Sequence, residues 1–362
     1  MGKKDRKDKK EKDSVSKLPR VSICTPTFNR RPFFKGLIDS IMAQNYPKDK
    51  IEWIIVDDGT DKIEDLVTHI PFVKYFYTEK MHLGRKRNFM HDQCSFKNDD
   101  DILIYFDDDD YYPKERISHA VDRLTGSPAL CAGSSEIYIW FNTLNKMYRF
   151  GPYGPNHATA GTFAFKRALL KQTSYENDAL LAEEKHFLKN YTIPFIQLDP
   201  LKTILVISHD QNTFDKRRLV SADNKQCNES ALKPHNFIKN KELFNFYIDH
   251  IPTLLSVYEP GNVSNKPEVL AEIDRRDKER EVKQNQMNQS NQSNQSNQFP
   301  QITTKNPDGS TRLLQPQEII QALQNVTNES MQLKKQNELL QSKINIMDQI
   351  IRANNLQHFF SC

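Results

Sequence analysis

The sequence predicts an α/β protein: a mixed, mainly parallel sheet flanked by helices, followed by a separate C-terminal coiled-coil helix. Three observations predict it. Short apolar runs alternate with helical stretches through the first half of the chain, the pattern of a parallel sheet wrapped by helices. Polar and acidic clusters follow the C-terminal ends of those runs, where open α/β sheets bind ligands. From Ile319 the apolar period becomes heptad.

The first strand, Val21 to Cys24, runs into Thr25-Pro26-Thr27 and then Asn29-Arg30-Arg31. Pro32 opens a helix at the position where its missing N–H costs nothing, and Phe33, Phe34, Leu37, Ile38, Ile41 and Met42 recur along one face. Ile51 to Val56 forms the second strand and ends in Asp57-Asp58-Gly59-Thr60. A short helix over Ile63 to Val67 and a strand near Val73 to Phe76 follow. Gly84 to Cys94 reads as a helix with Arg85, Lys86 and Arg87 in its first turn.

Ile102 to Phe106 is an unbroken apolar run, too short for a comfortable helix, and is expected as a strand buried on both faces. Four carboxylates, Asp107 to Asp110, stand at its tip with no basic residue among them. Their mutual repulsion is costly unless water screens it or a cation neutralises it. Oxygen ligands favour a hard cation, magnesium or manganese, over zinc. An acidic surface turn is the plainer alternative. Pro113 then opens a helix whose Ile117, Ala120, Val121 and Leu124 face inward.

Beyond residue 128, Ile137 to Phe141 and Lys146 to Phe150 are expected as a hairpin extending the sheet, followed by the stiff loop Gly151-Pro152-Tyr153-Gly154-Pro155. Gly161 to Phe165 reads as a strand leading into a helix at Arg167, and Leu180 to Tyr191 as a helix carrying Glu183-Glu184. Strands near Phe195 to Leu198 and Thr203 to Ser208 finish the unit at His209, with residues 233–262 as a helical appendage. Four regions are expected: a disordered charged tail over 1–18, the α/β domain over 19–262, a charged and Asn/Gln/Ser-rich disordered linker over 263–312 whose charged part, 267–283, reads as helical, and a coiled coil over 313–357.

Residues 1–17 carry eight basic and four acidic side chains, a balance of +4 that equals the net charge of the whole chain. The body is therefore near neutral, and nucleic acid is not an expected partner. The tail lacks the apolar core of a signal peptide, and Arg6 stands where a myristoylation signal needs Ser or Thr. No apolar run is long enough to span a bilayer. Five cysteines, at 24, 94, 131, 227 and 362, show no metal-ligand spacing and are expected as reduced thiols in the cytoplasm. Residues 284–298, almost entirely Asn, Gln and Ser, cannot bury a core and are expected to be disordered. Such tracts accompany AT-rich genomes, those of large DNA viruses included, which makes a host cytoplasm or a virion the companion expectation. The heptad positions run Ile319, Leu323, Val326, Ser330, Leu333, Asn337, Leu340, Ile344, Met347, Ile351 and Asn354, and eight of these eleven are apolar. Homo-oligomerisation through residues 319–354 is expected, with a helix folding back on the body as the alternative.

Taken in order, Thr-Pro-Thr-Phe-Asn-Arg after the first strand, Asp-Asp-Gly-Thr after the second, Gly-Arg-Lys-Arg-Asn at a helix start and the four aspartates resemble a family 2 glycosyltransferase. That family has the GT-A fold, inverts configuration and uses nucleotide-sugar donors. The resemblance covers about residues 19–215. It implies that Pro26, Thr27, Asn29 and Asp58 hold the nucleotide, and that Arg87 and Asn88 face its anionic part. The family's Asp-x-Asp-Asp metal motif maps onto Asp107, Asp109 and Asp110, with Asp108 as the extra aspartate. Mn2+ or Mg2+ there would bridge the diphosphate and offset charge on the departing UDP.

The family's acidic pair maps onto Glu183-Glu184, with Glu184 as general base where Asp is usual. Glu184 would take a proton from the acceptor hydroxyl as that oxygen attacks the anomeric carbon opposite UDP. His209 is placed against the metal or diphosphate, and Asp108, Gly161, Thr162 and Glu183 in the donor and acceptor pocket. Trp140 and Tyr153 are candidates for stacking on a sugar or for core packing. The implied partners are a UDP-sugar and a carbohydrate or protein-hydroxyl acceptor. Two alternatives stand beside this: a nucleotidyltransferase, which would ordinarily bring a Gly-rich phosphate loop, and a non-catalytic scaffold whose decayed transferase body supports the coiled coil.

Overall fold

In the computed structural model, residues 18–221, 224–296, 303–305 and 308–353 are described. Apart from Leu18, the charged tail expected over 1–18 lies outside the described residues, as do residues 354–357 of the expected coiled coil.

The first half follows the apolar runs. Strand β1, Val21–Thr27, is buried at every position but Pro26. A turn of 3-10 helix with Pro32 at its start leads into helix α1, Phe34–Met42, which buries Phe34, Leu37 and Ile41. Each such side chain contributes roughly 1.5–3 kcal/mol by leaving water. Strand β2, Ile51–Asp57, is buried throughout, as a central parallel strand should be. Then come α2 (Glu64–Val67), β3 (Val73–Tyr77), α3 (Leu83–Gln93), β4 (Ile102–Tyr105) and α4 (Arg116–Thr125).

The second half adds β5 (Cys131–Gly133), β6 (Ile137–Phe141), β7 (Lys146–Phe150), β8 (Ala164–Lys166), α5 (Glu184–Phe187), β9 (Phe195–Gln197), β10 (Leu205–Ser208) and β11 (Cys227–Glu229). Helices α6 (Pro234–Phe237), α7 (Lys241–Asn245) and α8 (Ile251–Ser256) form the appendage, with a turn of π-helix between the last two.

The main sheet has seven strands in the order β3-β2-β1-β4-β8-β5-β9. Its first four strands are parallel, and β8 runs antiparallel between β4 and β5. The expected fold class, a mainly parallel mixed sheet flanked by helices, is present. Register sets the site: Thr27 pairs with Asp57, and Cys24 with Tyr105, so the polar residues after all three strands reach one edge.

Three expectations are corrected. The β6–β7 hairpin does not extend the main sheet but forms a second one, in the order β10-β6-β7-β11. The reason lies in its two apolar faces. Ile139, Phe141 and Phe150 join the main core, while Tyr138, Trp140 and Met147 need the appendage's Phe237, Leu243 and Tyr247. The helix expected over Leu180 to Tyr191 shrinks to the single turn α5, because Ala182, Lys189, Asn190 and Tyr191 take positive φ. The segment at Arg167 is 3-10 helix, Arg167–Lys171.

The first compact unit runs to Asp277, past the boundary expected at 262. Helix α9, Pro267–Ser296, starts within it and buries Val269 and Ile273 there. Residues 263–312, expected as a disordered linker, carry this helix and the ribbon β12 (Thr303–Lys305) with β13 (Thr311–Leu313). Over 267–283 the helix is the one expected from the charged stretch, with Glu272 paired with Arg276 one turn on; it runs on to Ser296, into the stretch whose composition pointed to disorder. The second unit contains helix α10, Pro316–Ala353, with Leu323, Val326, Leu333, Leu340, Ile344 and Met347 exposed. Among the described residues, no helix is long and apolar enough to cross a membrane.

Candidate active site

A pocket of about 230 Å³ opens at the C-terminal edge of β1, β2 and β4. Pro26, Thr27, Asp58, Arg87, Asp107, Asp108 and Asp109 line it, as the strand tips require. The other sequence candidates are arranged around this wall rather than in it.

Asp58 is buried and bridges to Lys86 of α3, whose ammonium also donates to the Thr27 carbonyl at 3.0 Å. Its second oxygen accepts the Met81 N–H at 3.0 Å. Lys86, in the first turn of the expected helix, is therefore a buried strut of the pocket floor. Helix α3 also packs closely on the 176–179 segment because Gly84 has no side chain: a Cβ there would strike the Glu176 carbonyl.

Arg87 lies one residue on. Its Nε donates to Glu183 Oε1 at 2.7 Å, its Nη2 stands 3.7 Å from Asp107, and its guanidinium lies 4.3 Å above the Tyr105 ring. Burial works to lower its pKa, but the charges of Glu183 and Asp107 outweigh it and raise it. Glu183 is thus committed to Arg87. Glu184 opens α5 and has no ion-pair partner among the described residues, and burial together with the Glu183 charge pushes its carboxyl up to about 7. Neighbouring carboxylates in such different settings suit different tasks.

The four aspartates separate. Asp109 Oδ2 lies 3.2 Å from His209 Nε2 and 3.8 Å from Arg30. Burial works to raise Asp109, and the His209 hydrogen bond outweighs it, so the carboxylate is held low. Burial and the Asp109 charge raise Asp108 to about 7, and burial raises Asp107. Asp110 turns inward, accepting the Ile207 N–H of β10 at 2.9 Å, and does not line the pocket. Among the described residues, no three His, Cys, Asp or Glu side chains converge closely enough to enclose a metal on their own. The donor set nevertheless fits a hard divalent cation. Asp107 Oδ1 and His209 Nδ1 are buried without hydrogen-bond partners, and magnesium-type sites are completed by substrate phosphates and water.

Four candidates do structural work. Asn29, at φ 52°, accepts the N–H groups of Thr60 and Asp61 and donates to the Pro260 carbonyl at 2.9 Å. Asn88 bonds Tyr175 through both its amide atoms. Thr162 donates to Thr159 and accepts the Ser134 N–H deep in the core, while Gly161 gives Asp107 room, since a Cβ there would meet its Oδ2 at 2.6 Å. Trp140 is buried in the appendage core, and Tyr153 lies at the surface beside His157.

Sequence reasoning missed Phe28, Lys80 and Lys266 in the pocket wall. Phe28 sits inside a motif already singled out, so an aromatic directly after a strand was the available signal. Lys266 comes from a stretch whose charge alone read as linker.

Residues 22–178 match the glycosyl transferase family 2 model. The resemblance seen in the motifs therefore holds over the segment that supplies Thr27, Asp58, Arg87 and Asp107–Asp109, while Glu183, Glu184 and His209 lie beyond the family 2 match. No curated protein matches the chain. Among solved structures, S. aureus TarS residues 1–349 is 20% identical over 52% of this chain and 60% of that one, with a TM-score of 0.42. The mannosyltransferase PcManGT from Pyrobaculum calidifontis, solved with GDP-Man and Mn2+, is 18% identical over 54% and 59%, with a TM-score of 0.43. The chain thus spans about 60% of the length of these structures. A further structure of TarS 1–349, in complex with UDP, is 14% identical over 82% and 96%, with a TM-score of 0.42.

Proposed function

We propose that the chain is a glycosyltransferase that moves a sugar from a nucleoside-diphosphate donor, a UDP-sugar foremost, to an acceptor hydroxyl with inversion. One observation carries this reading. Thr27, Asp58, Arg87 and Asp107–Asp109 share a single pocket at the strand tips, within the segment that matches family 2.

Asp58 retains acceptor capacity beyond its bonds to Lys86 and Met81, which suits ribose hydroxyls or a base N–H. Asp109 and His209, with Asp107 beyond them, are the residues that would hold a divalent cation, Mn2+ or Mg2+. When bound, the ion supplies Lewis-acid stabilisation of the leaving diphosphate. Arg87 fixes Glu183 and leaves Glu184 as the carboxylate able to accept a proton from the acceptor hydroxyl. A carboxyl near 7 is matched to proton transfer at neutral pH.

The test is nucleotide release from a donor panel including UDP-GlcNAc and GDP-mannose, with and without Mn2+. Turnover of at least one donor is expected. No turnover together with no binding of any nucleoside diphosphate overturns the reading.

A further inference from the structure

We propose that Lys266 is a direct ligand of the donor's diphosphate, presented by the segment Pro260–Val269, which walls the nucleotide pocket opposite the strand tips. The proposal rests on the glycosyltransferase reading and names a contact outside the segment that matches family 2.

The cations of the pocket are unequally committed. Lys86 is paired with Asp58, Arg87 with Glu183, and Lys80 with Glu268 at 2.8 Å. Arg30 donates to the carbonyls of Gln211 and Gly261, with Asp108 and Asp109 at 4.0 and 3.8 Å. Lys266 differs. Its Nζ makes one hydrogen bond, to Thr213 Oγ1 at 2.9 Å, and among the described residues no carboxylate comes within ion-pair distance. An ammonium has three donors, so two remain for a ligand that brings oxygen acceptors and negative charge. Burial and nearby Arg30 lower its pKa to about 7, with Lys86 adding to this and Asp108 and Asp109 opposing it. An arriving phosphate would supply the countercharge that the protein withholds.

Position agrees with this. Lys266 Nζ lies 5.1 Å from the centre of the Phe28 ring, and Lys80 Nζ lies 4.9 Å from it. Phe28 directly follows Thr27, and Lys266 shares the pocket wall with Asp108 and Asp109. A compact point charge there suits phosphate oxygens better than the flat edge of a base.

The segment is also held in place without a ligand. Asn29 Nδ2 donates to the Pro260 carbonyl, Arg30 Nη1 to that of Gly261 at 3.2 Å, and Lys80 Nζ to that of Asn265 at 3.1 Å. Lys266 is therefore presented to the pocket, with little ordering left for binding to cost.

The experiment measures binding of UDP and of uridine by calorimetry, in the presence of Mn2+, to the wild-type chain and to Lys266→Met and Lys266→Arg. Lys266→Met is expected to weaken UDP on the order of tenfold, the size of one charge-assisted hydrogen bond, and to leave uridine unchanged. Lys266→Arg should restore most of the loss. Equal UDP affinity in wild type and Lys266→Met overturns the Lys266 assignment alone. Binding of neither UDP nor GDP by the wild type, with no turnover of any donor, overturns the glycosyltransferase reading itself. Should Lys266→Met fold poorly, acetylation of Lys266 in the wild type gives the same answer by peptide mass spectrometry. UDP should protect it and uridine should not; equal labelling with and without UDP overturns the proposal.

Discussion

Arg87 and Glu183 form a buried ion pair at 2.7 Å that ties helix α3 to the turn before α5, with Asp107 of the β4 tip 3.7 Å from the same guanidinium. The three parts of the site that sequence places far apart are thereby fixed to one another. Removing one member strands the other as an uncompensated buried charge, at about 3–5 kcal/mol. Glu183→Ala should therefore lower unfolding stability by roughly that amount in denaturant titration. Combining it with Arg87→Met should recover part of the loss. Additive losses would show that the pair is not energetically coupled.

Glu184 should behave differently. Glu184→Gln is expected to abolish sugar transfer while sparing nucleotide binding, and unchanged transfer would remove it from the role of base. As a base, Glu184 must be ionised, so the wild-type rate should rise with pH through about 7. The stability effect has the opposite sign. A carboxyl raised from 4.5 to about 7 keeps its proton longer in the folded state, so its contribution to stability falls as pH rises from about 4.5 to 7. Glu184→Gln should then melt no lower than wild type at pH 8.

Metal dependence should follow Asp109 and His209. Asp109→Asn is expected to remove the effect of Mn2+ on nucleoside-diphosphate affinity, and chelation should reduce wild-type binding to the level of the variant. Retained Mn2+ dependence in Asp109→Asn would place the cation elsewhere.

Asn29 is expected to report on architecture. Asn29→Ala removes the acceptor for two backbone N–H groups and the donor to Pro260. A loss of about 1–3 kcal/mol in stability should result. A large drop in nucleotide affinity with unchanged stability would contradict this.

The C-terminal helix is expected to pair with further copies of itself. Its exposed Leu323, Val326, Leu333, Leu340, Ile344 and Met347 share heptad positions with Asn337, a residue that sets register in such cores. Light scattering should give an oligomer for the full chain and a monomer for Leu333→Lys combined with Leu340→Lys. A monomeric full chain would refute the pairing.

Much of this was legible in the sequence because strong local signals coincided. Ile51 to Val56 and Ile102 to Phe106 can only be buried strands, so Asp58 and Asp107–Asp109 had to emerge at one edge. Long-range pairings left no such mark. Cys131–Gly133 is too short to show a period, and nothing local told whether the 137–150 hairpin joins the first sheet or starts a second. Asn29 matched a nucleotide-binding motif, yet its partner Pro260 lies 231 residues away. Lys266 stands in a charged stretch whose composition is that of a linker. Its place in the pocket depends on contacts with Thr213 and Phe28 that no periodicity encodes.

The tether between Asn29 and Pro260 also has a bearing on how the protein comes into being. A chain emerging from the ribosome presents the floor of the pocket once Asp109 is out, but its far wall is built from Lys266, Glu268 and Val269. More than half of the α/β unit must therefore be synthesised in the interval before the pocket is complete. Until the two distant stretches meet, the strand tips lack the wall that Lys266, Glu268 and Val269 supply.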